Sequence, residues 1–146
     1  MRRAPKPWRL AGLRSVGGDQ RGTAAVEFSL VSTLVFLLLF AIIDFGVALN
    51  AQLVVVSAAR EGARRAAVDG GASAEAFRRI NDQLSLGRID PGQATVAIIP
   101  KRAGYGGTIK VEIAYRYRLI TPLVRSVVGE GINLHGAAYS RSEKVR

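Results

Sequence analysis

From Phe28 to Ile43 the chain reads FSLVSTLVFLLLFAII, a run with no charged residue whose only polar side chains are Ser29, Ser32 and Thr33. A helix that is hydrophobic all round has no face to offer to water, and the concentration of apolar residues here points to a membrane segment. The run falls short of the roughly 20 residues that a span needs, but Ala24, Ala25 and Val26 extend it on one side and Phe45 to Leu49 on the other. Spanning then requires Glu27 or Asp44 to be tolerated near an edge. A cleaved secretory signal is disfavoured, because the apolar region exceeds the usual 7 to 15 residues and runs on into helix-compatible sequence without a small-residue stop.

Charge sets the orientation. Residues 1–21 carry Arg2, Arg3, Lys6, Arg9, Arg14 and Arg21 against the single acid Asp19, so the short head is expected to stay cytoplasmic and the bulk of the chain to face the periplasm or exterior. Arg60, Arg64 and Arg65 beyond the apolar run weaken this asymmetry. The net charge of +10 is spread over the head, the helix end and the tail. It reads as topology and surface charge rather than as a nucleic-acid footprint, since only the head would share a compartment with nucleic acid.

Catalysis finds little support in the composition. There is no cysteine and one histidine, His135, which excludes disulfides, thiolate metal sites and a Cys nucleophile. No nucleophile elbow, metal-ligand spacing or phosphate loop occurs, so a structural His135, no enzymatic activity, no cofactor and no small-molecule substrate are expected.

Past the apolar run, ALNAQLVVVSAAREGARRAAVDGG holds no proline and is rich in alanine, so the membrane helix is expected to continue outward. A helix of about 45 residues would be ~68 Å long. It should end near Asp69-Gly70-Gly71, where glycine supplies the left-handed conformation favoured after a helix and Arg64 and Arg65 complement the dipole. Ser73 with Glu75 in the first turn marks a second helix. Phe77, Ile80 and Leu84 give it an amphipathic stripe read as core, ending by Gly87, and Asp90-Pro91-Gly92 forms a turn.

Three strands follow: ATVAIIP from Ala94, TIKVEIAYRYRLI from Thr108, and a weaker one around Ile132 to Tyr139, with Gly104 to Gly107 as the hairpin connection. In the middle strand Ile109, Val111, Ile113, Tyr115 and Tyr117 alternate with polar or small residues, so one face is buried and one solvated. Leu123 to Val128 read as a short helical or irregular return. The expected fold is therefore α+β and membrane-anchored: a long N-terminal transmembrane helix continuing outward, a short amphipathic helix, and a small antiparallel sheet of about three strands. The expected divisions are a basic cytoplasmic leader (1–22), the transmembrane and projecting helix (23–70) and a small extracytoplasmic α+β domain (71–146). Asp44 reads as a marker of the membrane interface, and Arg60, Glu61, Arg64 and Arg65 as a solvated face with pairs such as Glu61 to Arg64 or Arg65.

Just before the apolar run stands Arg21-Gly22-Thr23-Ala24-Ala25-Val26-Glu27-Phe28. The pattern of glycine, four residues and Glu-Phe resembles the processing site of type IV pilin-like precursors. Beyond it, residues 21–70 resemble the TadE-like family of the tight-adherence, or Flp-type, pilus system. The elements that carry the resemblance occur in order: the Gly-to-Glu-Phe site, the apolar helix, the acidic-Phe-Gly step at Asp44-Phe45-Gly46, and Ala-Arg-Glu-Gly-Ala-Arg at Ala59 to Arg64. Val111 to Tyr115 and Arg141-Ser142-Glu143 fit the family's looser C-terminal pattern.

The resemblance implies a pseudopilin or minor pilin, cut by a prepilin peptidase between Gly22 and Thr23, without catalysis of its own. Its implied partners are inner-membrane lipid, the peptidase, other pilin-like subunits and pilus assembly proteins, with no nucleic acid and no small molecule. Glycine fits a tight protease subsite in an extended conformation. Cleavage would create an amino group at Thr23 that Glu27 of a neighbouring subunit can pair with, offsetting part of the cost of charge at the membrane. Ser32, Thr33, Ala41 and Gly46 are small enough for close helix contact. The competing expectation is a single-pass, membrane-anchored extracytoplasmic binding domain unrelated to pili, which needs no processing site.

Overall fold

The computed structural model describes residues 20–145, with side chains from Gly22 onward; residues 1–19, which hold most of the basic head, lie outside the described residues. The order of elements is α1 (Gln20–Asp69), α2 (Ala74–Leu86), β1 (Ala94–Ile99), β2 (Thr108–Arg118), α3 (Pro122–Val128) and β3 (Gly131–Arg141). This is the expected α+β arrangement, and α1 is long and apolar enough to cross a membrane. Internal contacts divide the chain after Val35.

In the first unit α1 is exposed almost throughout, with Phe28 73% and Leu34 67% accessible. Its hydroxyls are satisfied within the helix. Ser29 Oγ donates to the carbonyl of Ala25 at 2.7 Å and Thr33 Oγ1 to that of Ser29 at 2.7 Å, while Ser32 Oγ reaches the same Ser29 carbonyl at 3.1 Å. Such back-bonding lets a hydroxyl sit among apolar side chains without an unpaired polar group.

The second unit, from Phe36 on, holds the core. Ala48, Ala51, Val55, Ala58, Ala59, Ala63, Ala66 and Ala67 recur at three- and four-residue steps and are all buried. The latter half of α1 is thus the helix against which α2 and the sheet pack, a role beyond the projecting helix the sequence suggested. Small side chains on this face let the sheet come close. At Gly136 of β3 an added Cβ would meet the Val55 carbonyl oxygen at 2.8 Å.

The sheet runs β1-β2-β3, antiparallel throughout. Its register aligns Ile98, Val111 and Ala138 in one row and Val96, Ile113 and Gly136 in the next, so the inner face is apolar. Ile109, Val111, Ile113 and Tyr117 are buried as the alternation implies, while Tyr115 is only half-buried. β3 is longer than the expected Ile132 to Tyr139.

Ser73 caps α2 as expected, accepting from the Ala76 amide at 3.0 Å while its hydroxyl donates to Asp69. Ile80 and Leu84 are fully buried, but Ala76 rather than Phe77 completes the stripe, leaving Phe77 partly exposed. α1 ends at Asp69 and Gly70 follows with φ of 76°, the left-handed conformation glycine adopts without penalty. The last turn of α1 contains no basic residue; Arg65 acts instead through an ion pair with Asp69, Nε to Oδ2 at 3.2 Å, in place of the suggested pairing with Glu61. Asp90 accepts from the Gly92 amide at 2.9 Å and opens a 3₁₀ turn over Pro91–Gln93. His135 lies on β3 with an exposed side chain, and its carbonyl accepts from Gln52 Nε2 at 2.8 Å.

Candidate processing and anchoring site

Gly22, Thr23, Glu27 and Phe28 all lie in α1, and all are exposed. The Gly22–Thr23 peptide bond lies at the N-terminal edge of the described part of α1. Thr23 and Glu27 are four residues apart and so share a helix face. The position where a new amino group would arise thus lies on the same side of α1 as the carboxylate. No hydrophobic side chain of this stretch covers the site: Val26 is 61% exposed.

The second cluster forms around Asp44, which the sequence marks as an acid at the edge of the apolar run and the structure shows as a buried acceptor. Asp44 is 1% exposed. Its Oδ1 accepts from the Ile120 amide at 2.9 Å and its Oδ2 from the Thr121 amide at 3.1 Å. Two backbone donors take up a carboxylate that the apolar helix would otherwise have to desolvate unaided, and they tie α1 to the turn leading into α3. Beside it lies an open apolar groove of about 370 Å³ lined by Ala41, Ile42, Phe45, Leu119, Val124 and Val128. Tyr117 Oη, which is buried, has no hydrogen-bond partner among the described residues. Burial, together with the Asp44 carboxylate, pushes its phenol above the ordinary tyrosine value.

Sequence reasoning missed this clasp because Asp44's partners are backbone amides more than 70 positions away, and an amide has no sequence signature. The acidic-Phe-Gly step was the available signal, and its three residues separate in role: Asp44 turns inward, while Phe45 and Gly46 are exposed. A Cβ on Gly46 would meet nothing within 4 Å, so nothing among the described residues requires glycine there. Ala41, grouped in the sequence with Ser32, Thr33 and Gly46 as a helix-contact candidate, lines the groove beside α3.

The Ala-Arg-Glu-Gly-Ala-Arg stretch is sorted by burial in the same way. Ala59, Gly62 and Ala63 face the core, and a Cβ on Gly62 would fall on Ile80 Cγ1 and Cδ1. Arg60 and Arg64 are exposed. The small residues of the pattern therefore serve helix packing and the charged ones solvation. Among the described residues no group of three or more His, Cys, Asp or Glu side chains is placed to hold a metal ion.

These features define an α+β protein whose first helix begins as an exposed apolar rod and ends as the packing helix of a small three-stranded unit. Residues 22–64 match the family model described as TadE-like protein, the family whose motifs the sequence resembles. The matched segment runs from the Gly22 site through the Ala-Arg-Glu-Gly-Ala-Arg stretch. No curated protein and no solved structure matches the chain.

Proposed function

We propose that this chain is a non-enzymatic pilin-like subunit, a pseudopilin or minor pilin of a tight-adherence pilus assembly or secretion system. The observation that carries the reading is the TadE-like match over residues 22–64, which opens at Gly22 and takes in the exposed apolar helix. In this reading residues 1–22 are a basic cytoplasmic leader, α1 crosses the inner membrane once, and residues 71–146 lie on the periplasmic or extracellular side. A prepilin peptidase removes the leader after Gly22. The new amino group at Thr23 then pairs with Glu27 of a neighbouring pilin-like subunit, and exposed side chains such as Leu34 and Leu38 contact lipid and the helices of assembly partners.

The test is the intact mass and N-terminal sequence of the protein recovered from membranes of cells with an active prepilin peptidase, for the wild type and Gly22→Leu. A terminus at Thr23 that the substitution abolishes is the expected result. An unprocessed head in the wild type would overturn the reading and leave a plain membrane-anchored binding domain.

A further inference from the structure

We propose that α3 is a second membrane contact, a short interfacial helix that lies on the outer leaflet of the bilayer α1 crosses. This rests on the reading of α1 as a membrane span. Ile120, Leu123, Val127 and Val128 are 62%, 53%, 71% and 63% exposed, four large apolar side chains within nine residues. Beyond Leu53, the other large apolar side chains that are exposed among the described residues stand far apart in the sequence, as Val68, Leu86, Ile99 and Val145 do. Scattered apolar side chains are ordinary on a soluble surface; a cluster marks a contact.

What covers this cluster follows from where it is fastened. The hydrogen bonds from Ile120 and Thr121 to Asp44 fix the start of α3 at the outer end of the apolar run, and Val124 and Val128 line the groove with Ala41, Ile42 and Phe45. At 1.5 Å per residue, a hydrocarbon core of about 30 Å takes up about 20 residues of helix. A core ending at Phe45 would place Ala41 to Phe45 in its outermost part. α3 therefore sits at the boundary between acyl chains and headgroups, where Ile42 and Phe45, themselves exposed, line the same groove as Val124 and Val128.

The charges around α3 suit the same surface. Arg118 and Arg125 flank α3 and are exposed, against the one exposed acid Glu130, Asp44 being buried, and arginine beside an apolar face pairs with anionic headgroups. The occupant assigned is thus an anionic phospholipid bilayer rather than a second protein chain. Asp44 gains a role in this arrangement: it holds the interfacial helix to the span and sets the depth at which the sheet rests.

The absence of native cysteine permits a direct test. Leu34→Cys in the span, Leu123→Cys and Val127→Cys on α3, and Thr95→Cys on the exposed outer face of the sheet are each spin-labelled in the full chain. The chains are reconstituted into phosphatidylethanolamine/phosphatidylglycerol vesicles, and accessibility to oxygen and to a water-soluble nickel chelate is compared. The expected result is a deep label at 34, and at 123 and 127 an oxygen-to-nickel ratio several-fold above that at 95. A deep label at 34 with 123 and 127 matching 95 would overturn the interfacial helix while leaving the span intact. Labels at 123 and 127 shielded from both reagents would overturn it in favour of a protein partner on this face. A label at 34 open to the nickel chelate would refute the span, and the interfacial helix with it.

Discussion

At the residue scale the decisive side chain is Asp44. A carboxylate buried at the end of an apolar helix is costly unless hydrogen bonds replace its water, and the Ile120 and Thr121 amides do so. Asp44→Ala removes the acceptor and strands two backbone donors, and is expected to destabilise the second unit by about 2 to 4 kcal/mol. Asp44→Asn keeps one carbonyl acceptor and should lose less. Urea unfolding in detergent micelles, followed by amide hydrogen exchange in β2 and α3, reads both; an unchanged Asp44→Ala variant would show that the two hydrogen bonds do not hold α3 to α1. Tyr117, close by, gives the opposite sign. Its hydroxyl is buried without a partner among the described residues, so Tyr117→Phe is expected to be neutral or stabilising, within about 1 kcal/mol. Its folded pKa lies above the ordinary value of 10.0. The stability this confers is therefore present below pH 10 and is lost as pH rises through the folded value. Unfolding measured from pH 9 upward should show a decline in the wild type that Tyr117→Phe reduces.

The elements owe their positions to small residues as much as to large ones. Gly136 shares the inner face of the sheet with Val96 and Ile113, where a side chain would press on the backbone of Val55. Gly136→Ala is expected to cost about 1–3 kcal/mol by overpacking, and Ser73→Ala about 1 kcal/mol through loss of the α2 cap; both are read as shifts of the urea midpoint. The two positions differ in how plainly the sequence announced them. Ser73 with Glu75 is a local signal whose partner lies three residues away, and it identified the start of α2. The alternation in β2 and the Asp90-Pro91-Gly92 turn were equally local. The packing face of α1 was not legible, because in an alanine-rich segment every face has similar hydropathy and only the arrival of the sheet distinguishes one of them. The spacing of Gly22 and Glu27-Phe28 is local to the sequence, whereas the Asp44 clasp and the groove needed β2, α3 and α1 brought together.

For the molecule as a whole, the question is where the folding unit begins. Reading the chain as an anchor to residue 70 followed by a domain implies that residues 71–146 hold their own core. The buried set argues otherwise: it starts at Asp44 and Ala48 and includes Val55, Ala58, Ala59, Ala63 and Ala66, in one cluster with Ile80, Leu84, Ile109, Val111 and Ile113. A three-stranded sheet with a single 13-residue helix has little apolar surface to bury without that face. A fragment comprising residues 44–146 is therefore expected to unfold cooperatively with dispersed amide resonances, given a mild detergent to cover Phe45, Leu49 and α3. A fragment comprising residues 71–146 is expected to lack both properties. Cooperative folding of the shorter fragment would show that α1 merely carries the sheet. Its failure beside a folded longer fragment would mean that the latter half of α1 also builds the head, joined to the sheet through packed side chains rather than through a linker.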